Sequence, residues 1–254
     1  MAGRLTDRTA IITGGSRGIG LAMATAFARE GARVVIVSRK QAELDAAADR
    51  INAEHPGSVT PIACHTGDTD AIRALVARVH QEIGVPNVLV NNAATNPYFG
   101  PMLSCEYGAW DKTFDVNVKG YFEPSRQVAL RLVEAGQPGS IISVASVYGM
   151  TAAAMQGIYG MTKAAVISMT KTLAVELAGA GIRVNAIAPG LVDTRLAAAI
   201  VQNPEFVKIF TGRAPLARYA QPEEIAGLAV HLASDESSYT TGQVFAVDGG
   251  YTIA

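Results

Sequence analysis

The chain has 254 residues, 49% of them apolar and 17% charged, with a formal net charge of −1. That length can bury a full core in one α/β domain, and the composition is globular, unlike a disordered chain or a membrane protein. A near-neutral balance without a lysine or arginine run excludes the electrostatic footprint of a nucleic-acid or anionic-membrane partner and leaves small-molecule chemistry.

The opening residues, MAGRLTDRTAIITGG, lack the basic region, apolar core and cleavage site of a secretory signal. No stretch approaches the ~18 apolar residues of a membrane span, so the chain is expected in the cytoplasm. Cys64 and Cys105 are too few for a disulfide framework. His55, His65, His80 and His231 are scattered, so no metal is expected.

Thr9 to Thr13 is a short apolar strand that stops at the turn TGGSRGIG, and residues 19–29 then read as a helix. Glycine in such a turn allows backbone angles closed to other residues and lets a pyrophosphate approach the helix N-terminus. A glycine turn alone is weak, but here it lies between a strand and a helix, with a second strand at Arg33–Val37, which is the context of a dinucleotide-binding βαβ unit. Gly14, Ser16, Arg17, Gly18, Ile19 and Gly20 form the expected cradle.

The second strand ends in Ser38-Arg39, without the acidic residue that would bind the ribose hydroxyls of NAD. Arg39 and Arg17, with the Ser38 hydroxyl, suit the 2′-phosphate of NADP(H); the plainer alternative for each arginine is a solvated surface charge. Residues 41–53 form a helix, Ser58–Ala63 a third strand, and Thr69–Ile83 an amphipathic helix. Val88–Val90 is a buried strand followed by Asn91-Asn92-Ala93-Ala94, placed where the ligand crevice of an open α/β sheet lies. Trp110 to Val133 reads as one long helix carrying Asn117, with a kink or break expected at Pro124.

Gly139–Val144 is the next strand and delivers Ser146 to the same crevice. In the helix Gly157–Leu177, Tyr159 and Lys163 are four residues apart and share a face. A free phenol titrates near ~10, and a cation at close range lowers that value, so the phenol serves as acid for an alkoxide or, ionised, as base for an alcohol. Taken alone, Tyr-x-x-x-Lys is equally a packed tyrosine beside a solvated lysine. Arg183–Ala188 is a sixth strand ending in Pro189-Gly190, a helix starts near Pro222, and Gln243–Val247 is a seventh strand. Strands alternating with helices predict a single-domain Rossmann fold: a doubly wound, seven-stranded parallel sheet with helices on both faces. One domain spans 1–254, with a cofactor half of about 1–145, a catalytic half of about 146–254 and a lid at about 191–213.

From Thr13 to Asp248-Gly249-Gly250 the chain resembles the classical short-chain dehydrogenase/reductase family. The likeness rests on TGGSRGIG, NNAA, Asn117, the set Ser146, Tyr159 and Lys163, and Pro189-Gly190 followed by Val192 and Thr194. It implies Tyr159 as general acid/base, Ser146 orienting the carbonyl, Lys163 tuning the tyrosine and holding the nicotinamide ribose, and Asn117 positioning a relay water. Asn91, Ala93, Pro189, Gly190, Val192 and Thr194 then join Tyr159 and Lys163 as cofactor contacts, and hydride passes between nicotinamide and carbonyl carbon. His65 stands where the family usually has an aspartate for the adenine amino group, leaving an imidazole acceptor or the Thr66 backbone for that contact. Ala94 replaces the commoner glycine.

The resemblance also implies a homotetramer built on the helices of Asn117 and Tyr159. The substrate is expected to meet Tyr98, Phe99, Met102, Val147, Tyr148, Met150, Met155 and Leu196, a mostly apolar wall suited to an uncharged carbonyl. Within the family the chain looks most like NADPH-dependent 3-oxoacyl carrier-protein reductases and carbonyl reductases, with a carrier protein as a partner. A secondary-alcohol or steroid-type dehydrogenase is the alternative, and a non-catalytic dinucleotide-sensing module the reading from another class.

Overall fold

The structure, a computed structural model, describes residues 3–254; Met1 and Ala2, at the start of the expected domain, lie outside the described residues. Seven strands form one all-parallel sheet in the order β3-β2-β1-β4-β5-β6-β7. They are β1 (Thr9–Thr13), β2 (Arg33–Ser38), β3 (Val59–Ala63), β4 (Val88–Asn91), β5 (Gly139–Val144), β6 (Ile182–Pro189) and β7 (Val244–Val247). Every residue of β1, β4 and β5 is buried, as strands covered on both faces must be, which is why they read as mainly apolar runs with only small polar residues and Asn91 among them.

Alternate side chains of each strand enter different cores. Ile12, Val34, Ile36, Val88 and Val90 point to one face, under α1 (Gly18–Arg29), α2 (Gln41–Glu54) and α9 (Glu223–Ala233). Ile11, Val35, Val37 and Leu89 point to the other, under α3 (Thr69–Glu82), α5 (Gly120–Ala135) and α6 (Gly157–Leu177). The strand order reverses between β1 and β4, so the loops after Thr13 and Asn91 diverge there and open a crevice.

The expected long helix from Trp110 is instead two helices, α4 (Tyr107–Phe114) and α5, joined by a widened π-turn at Asp115–Lys119. Pro124 lies inside α5 rather than at a break. A proline has no N–H for the carbonyl four residues back, and the irregular turn directly upstream interrupts the ladder one turn before it. Sequence periodicity also missed two short helices after β6, α7 (Ala198–Val201) and α8 (Pro204–Thr211).

Two glycines bring the turn after β5 onto α6. A Cβ at Gly149 would lie 2.7 Å from the backbone of Lys163, and one at Gly160 would lie 2.8 Å from the carbonyl of Tyr148. Gly149→Ala therefore overpacks this seam, at roughly 1–3 kcal/mol, and lowers the thermal midpoint by about 2–10 °C. Gly108→Ala, whose Cβ meets nothing within 4 Å, leaves the midpoint unchanged or raised. Equal midpoints for Gly149→Ala and the parent chain would contradict the packing.

Candidate functional site

The glycine turn cradles a cleft. Gly14 and Gly18 have left-handed φ of +68° and +55°, and a Cβ at Gly14 would lie 3.0 Å from Ala93 Cα. Gly20 serves packing instead of lining: a Cβ there would lie 2.3 Å from the Gly14 carbonyl. α1 begins at this turn with no side-chain cap and no acid in its first turn, so its free N–H groups face the cleft. Arg17, Ser38, Arg39, His65, Thr66 and Ala93 line the cleft with Gly14, Ser16, Gly18 and Ile19.

Asn91, expected as a contact, is fully buried and donates to Ser125 Oγ at 2.8 Å, and it lines neither the cleft nor the pocket described below. Its neighbour Asn92 does the work at the surface. Asn92 Nδ2 donates to the Thr13 carbonyl at 2.9 Å, while Thr13 Oγ1 accepts from the backbone N–H of Asn92 and Ala93 at 2.9 and 3.1 Å. These bonds lock the two diverging loops together at the switch point.

The cleft's charge is mainly positive. Arg17, Arg39, Lys112 and Arg195 line it, the last two unanticipated from the sequence. Glu43 answers part of that charge, accepting from Lys40 at 3.0 Å and Arg17 at 3.1 Å. The Lys40 hydrogen bond, with the Arg17 and Arg195 charges behind it, holds this carboxyl below its ordinary range. Arg39 makes no ion pair among the described residues, and beside it the buried Ser38 Oγ has no hydrogen-bond partner. An orphaned hydroxyl next to a free guanidinium fits an anionic oxygen cluster in this part of the cleft. His65 Nδ1 accepts the Gly67 N–H at 3.0 Å, so the neutral ring carries its proton on Nε2 and offers a donor; the acceptor role expected of it is already spent.

A second pocket adjoins the cleft, sharing Ile19, Asn92, Ala94, Thr194 and Leu196 with it. Ser146, Tyr159 and Lys163 line this pocket, as do Pro189, Gly190 and Val192. Lys163 is fully buried, its Nζ donating to the Val144 carbonyl at 2.7 Å and to Tyr121 Oη at 3.0 Å. Nζ lies 5.6 Å from the centroid of the half-buried Tyr159 ring. Burial pushes Lys163 down to about 7, and burial pushes the Tyr159 phenol up to about 12 against the opposing hydrogen bond of Ser146. The ammonium was expected to lower the phenol; desolvation is instead the largest influence on it, and the phenol lies above its ordinary value. Tyr159 is therefore a neutral phenol at pH 7, the form that can give a proton.

Asn117 sits in the π-turn, fully buried, with Oδ1 accepting Thr95 N–H at 2.8 Å. Its Nδ2 donates to the Thr95 carbonyl at 2.9 Å and Thr162 Oγ1 at 3.1 Å, so the amide has no hydrogen left for a relay water. The side chain ties the loop after β4 to α6.

Of the expected substrate wall, Val147, Tyr148 and Leu196 reach the pocket. The other five do not. Tyr98 Oη bonds back to the Pro101 carbonyl at 2.7 Å, Phe99 packs on Phe206 at 5.4 Å, Met102 packs on Gly157, and Met150 and Met155 are exposed. Their places are taken by Leu191, Ala197, Ile200 and Phe210 from the segment after β6, where Phe210 stacks on Tyr251 at 4.3 Å. The polar exception is a pair of amides at the pocket, Asn96 Nδ2 donating to Gln156 Oε1 at 2.8 Å. No periodic pattern marks these residues, because they converge from separate loops.

The profile of a family described as "Enoyl-(Acyl carrier protein) reductase" matches residues 14–252. The chain belongs to the short-chain dehydrogenase/reductase family. It is 39% identical over 250 residues to a 3-oxoacyl-[acyl-carrier-protein] reductase, FabG, of Thermotoga maritima, covering 98% of this chain and 100% of that protein. Dehydrogenase/reductase SDR family member 4 of Oryctolagus cuniculus is 38% identical over 246 residues, covering 97% and 94%. The crystal structure of a gluconate 5-dehydrogenase from Burkholderia cenocepacia in complex with NADP and tartrate superposes with a TM-score of 0.94 at 33% identity, over 99% of this chain and 97% of that one.

The buried lysine makes stability depend on pH. Lys163 titrates near 7 folded against an ordinary 10.5, so between those values the unfolded chain binds more protons and stability rises with pH. Cys64, pushed up from 9.0, and Tyr159, pushed up from 10.0, act in the opposite sense at higher pH, which leaves pH 7 to 9 as the clean window. Across that window the thermal midpoint of the parent chain rises relative to Lys163→Met. A pH-independent difference would contradict the lowered titration of the buried lysine.

Proposed function

We propose that this reductase transfers hydride between NADP(H) and a carbonyl or secondary alcohol, with a 3-oxoacyl thioester or similar ketone as substrate. The observation that carries the reading is the meeting of Ser146, Tyr159 and Lys163 in one pocket continuous with the glycine cleft. The cofactor, when bound, supplies the hydride. Tyr159 gives its phenolic proton to the carbonyl oxygen as charge develops there, and Ser146 donates a hydrogen bond to the same oxygen. Lys163 holds positive charge behind the phenol, so that the phenolate left after transfer is stabilised.

The cofactor contacts proposed are the turn Gly14–Ile19, Ala93, Pro189, Gly190, Val192 and Thr194, with Thr66 and the His65 Nε2–H toward the base. Arg39 and Ser38 supply the preference for the 2′-phosphate, and Arg17 contributes once released from Glu43. Leu191, Leu196, Ile200 and Phe210 give an apolar wall that supports an acyl chain over a polyol. A carrier-bound acyl group is the natural form of such a substrate. The Asn96–Gln156 pair favours a second reading, oxidation of a hydroxylated acid of the kind named for the gluconate dehydrogenase.

The segment 191–213 acts as a lid between the cofactor half, about 1–145, and the catalytic half, about 146–254. The protein works in the cytoplasm; no described helix is long and apolar enough to cross a membrane. Exposed Phe122, Leu130 and Val133 on α5 and Val175 on α6 support a homotetramer built on these helices, which a monomeric mass in solution would remove.

Loss of NADPH absorbance with a short 3-oxoacyl thioester and plain ketones, and gain of that absorbance from NADP+ with gluconate, test the reading. Reduction of the thioester with NADPH is expected, falling by roughly 10²–10⁴ in Tyr159→Phe. Arg39→Ala weakens NADPH about tenfold and leaves NADH unchanged. Turnover of gluconate alone would favour the second reading, and a Tyr159→Phe protein as fast as the parent would overturn the mechanism.

A further inference from the structure

Tyr121 lies on α5, outside every motif noted in the sequence, and its ring is fully buried. Its hydroxyl accepts from Lys163 Nζ at 3.0 Å and donates to the Val144 carbonyl at 3.1 Å, the carbonyl that Lys163 also uses. Nζ stands 4.7 Å from the Tyr121 ring centroid and 5.6 Å from that of Tyr159, so the ammonium lies close to both phenols. A buried ammonium has three N–H groups to satisfy; two are met by this triangle, and the third remains for the pocket.

From these contacts we infer that Tyr121 is a positioning residue for Lys163: its hydroxyl stabilises the buried ammonium and fixes its direction toward Tyr159. The assignment rests on the reading of Lys163 given above. Tyr121 is no proton carrier, because its single hydroxyl hydrogen is committed to Val144 and burial keeps it a neutral phenol. The groups facing Lys163 are Tyr159 on its own helix, Tyr121 from α5, and the Val144 carbonyl with Ser146 from β5 and its turn. No described carboxylate pairs with Lys163; Glu123, two residues from Tyr121, is bound to Arg73 and Arg126. The phenol is thus the one side chain that compensates this charge from behind, where a phenylalanine would pack equally well.

The direct test follows the 13Cε resonance of Lys163 in lysine-labelled protein without cofactor, assigned by its loss in Lys163→Met. Tyr121→Phe keeps the ring and removes the acceptor, so the ammonium is disfavoured and the resonance titrates about one pH unit lower. Ser125→Ala is the control: it removes a buried hydroxyl bonded to the Tyr121 carbonyl at 2.7 Å on the same helix without touching Lys163, and the titration stays at the parent value. With a ketone at pH 7, Tyr121→Phe lowers kcat by about tenfold while KM for the ketone holds within about twofold.

An unchanged titration in Tyr121→Phe overturns the inference, as does an equal shift in Ser125→Ala, which would mean helix displacement. Should Tyr121→Phe not fold, the unaltered protein decides: the Tyr121 13Cζ resonance shifts as Lys163 titrates and loses that shift in Lys163→Met, and a resonance flat through the titration overturns the assignment. A parent chain that reduces no carbonyl would defeat the proposed function but would leave both titrations to be read.

Discussion

One hydrogen bond joins the two halves of the chemistry: Lys163 Nζ to the Val144 carbonyl, 2.7 Å long and fully buried. Val144 ends β5, two residues before Ser146, and Lys163 is one turn along α6 from Tyr159. The bond therefore fixes the strand that carries the hydroxyl against the helix that carries the phenol. A charged group gives up its water at a cost of several kcal/mol, so it persists in such a place only while good acceptors surround it. The geometry of the pocket and the protonation of its groups follow from that one demand.

The same economy of close approach shapes the rest of the crevice. Gly149 and Gly160 let the Ser146 turn lie on α6 with backbone nearly touching backbone. Gly14 gives the loop after β1 a left-handed turn against Ala93, and Gly20 lets α1 begin against the Gly14 carbonyl. Asn92 and Thr13 then clip the two loops at the reversal of strand order. The free N–H groups of α1 and the cluster of Arg17, Arg39 and Arg195 make the cleft suited to phosphate, and the pocket beside it is walled largely by apolar side chains.

Much of this was legible in the sequence because it is local. A parallel strand covered on both faces is mainly apolar, so β1, β2, β4 and β5 were plain, and an (i, i+4) pair on a helix shares a face, so Tyr159 and Lys163 were legible as neighbours. What stayed hidden is tertiary. Nothing near Tyr121 in the chain says that its hydroxyl reaches Lys163, forty-two residues on. Asn91 and Asn92 are adjacent and chemically identical, yet strand alternation sends one into the core and the other to the cleft. Tyr98, Phe99 and the methionines looked like a substrate wall by composition, but their loop folds on itself, and the wall is built by helices after β6 that have too few turns for a periodic signal. The phenol's acidity was only half legible, since proximity to a cation is visible in the spacing whereas the burial that raises the phenol is not.

The central claim is that this crevice delivers hydride from NADPH to a carbonyl carbon under the acid Tyr159. The most direct measurement is a turnover of NADPH deuterated at both C4 positions with a short 3-oxoacyl thioester, followed by mass and NMR analysis of the product. The account predicts a 3-hydroxyacyl product carrying one deuterium on the new carbinol carbon. Product without deuterium at that carbon, or oxidation of the cofactor with no alcohol formed, would contradict it.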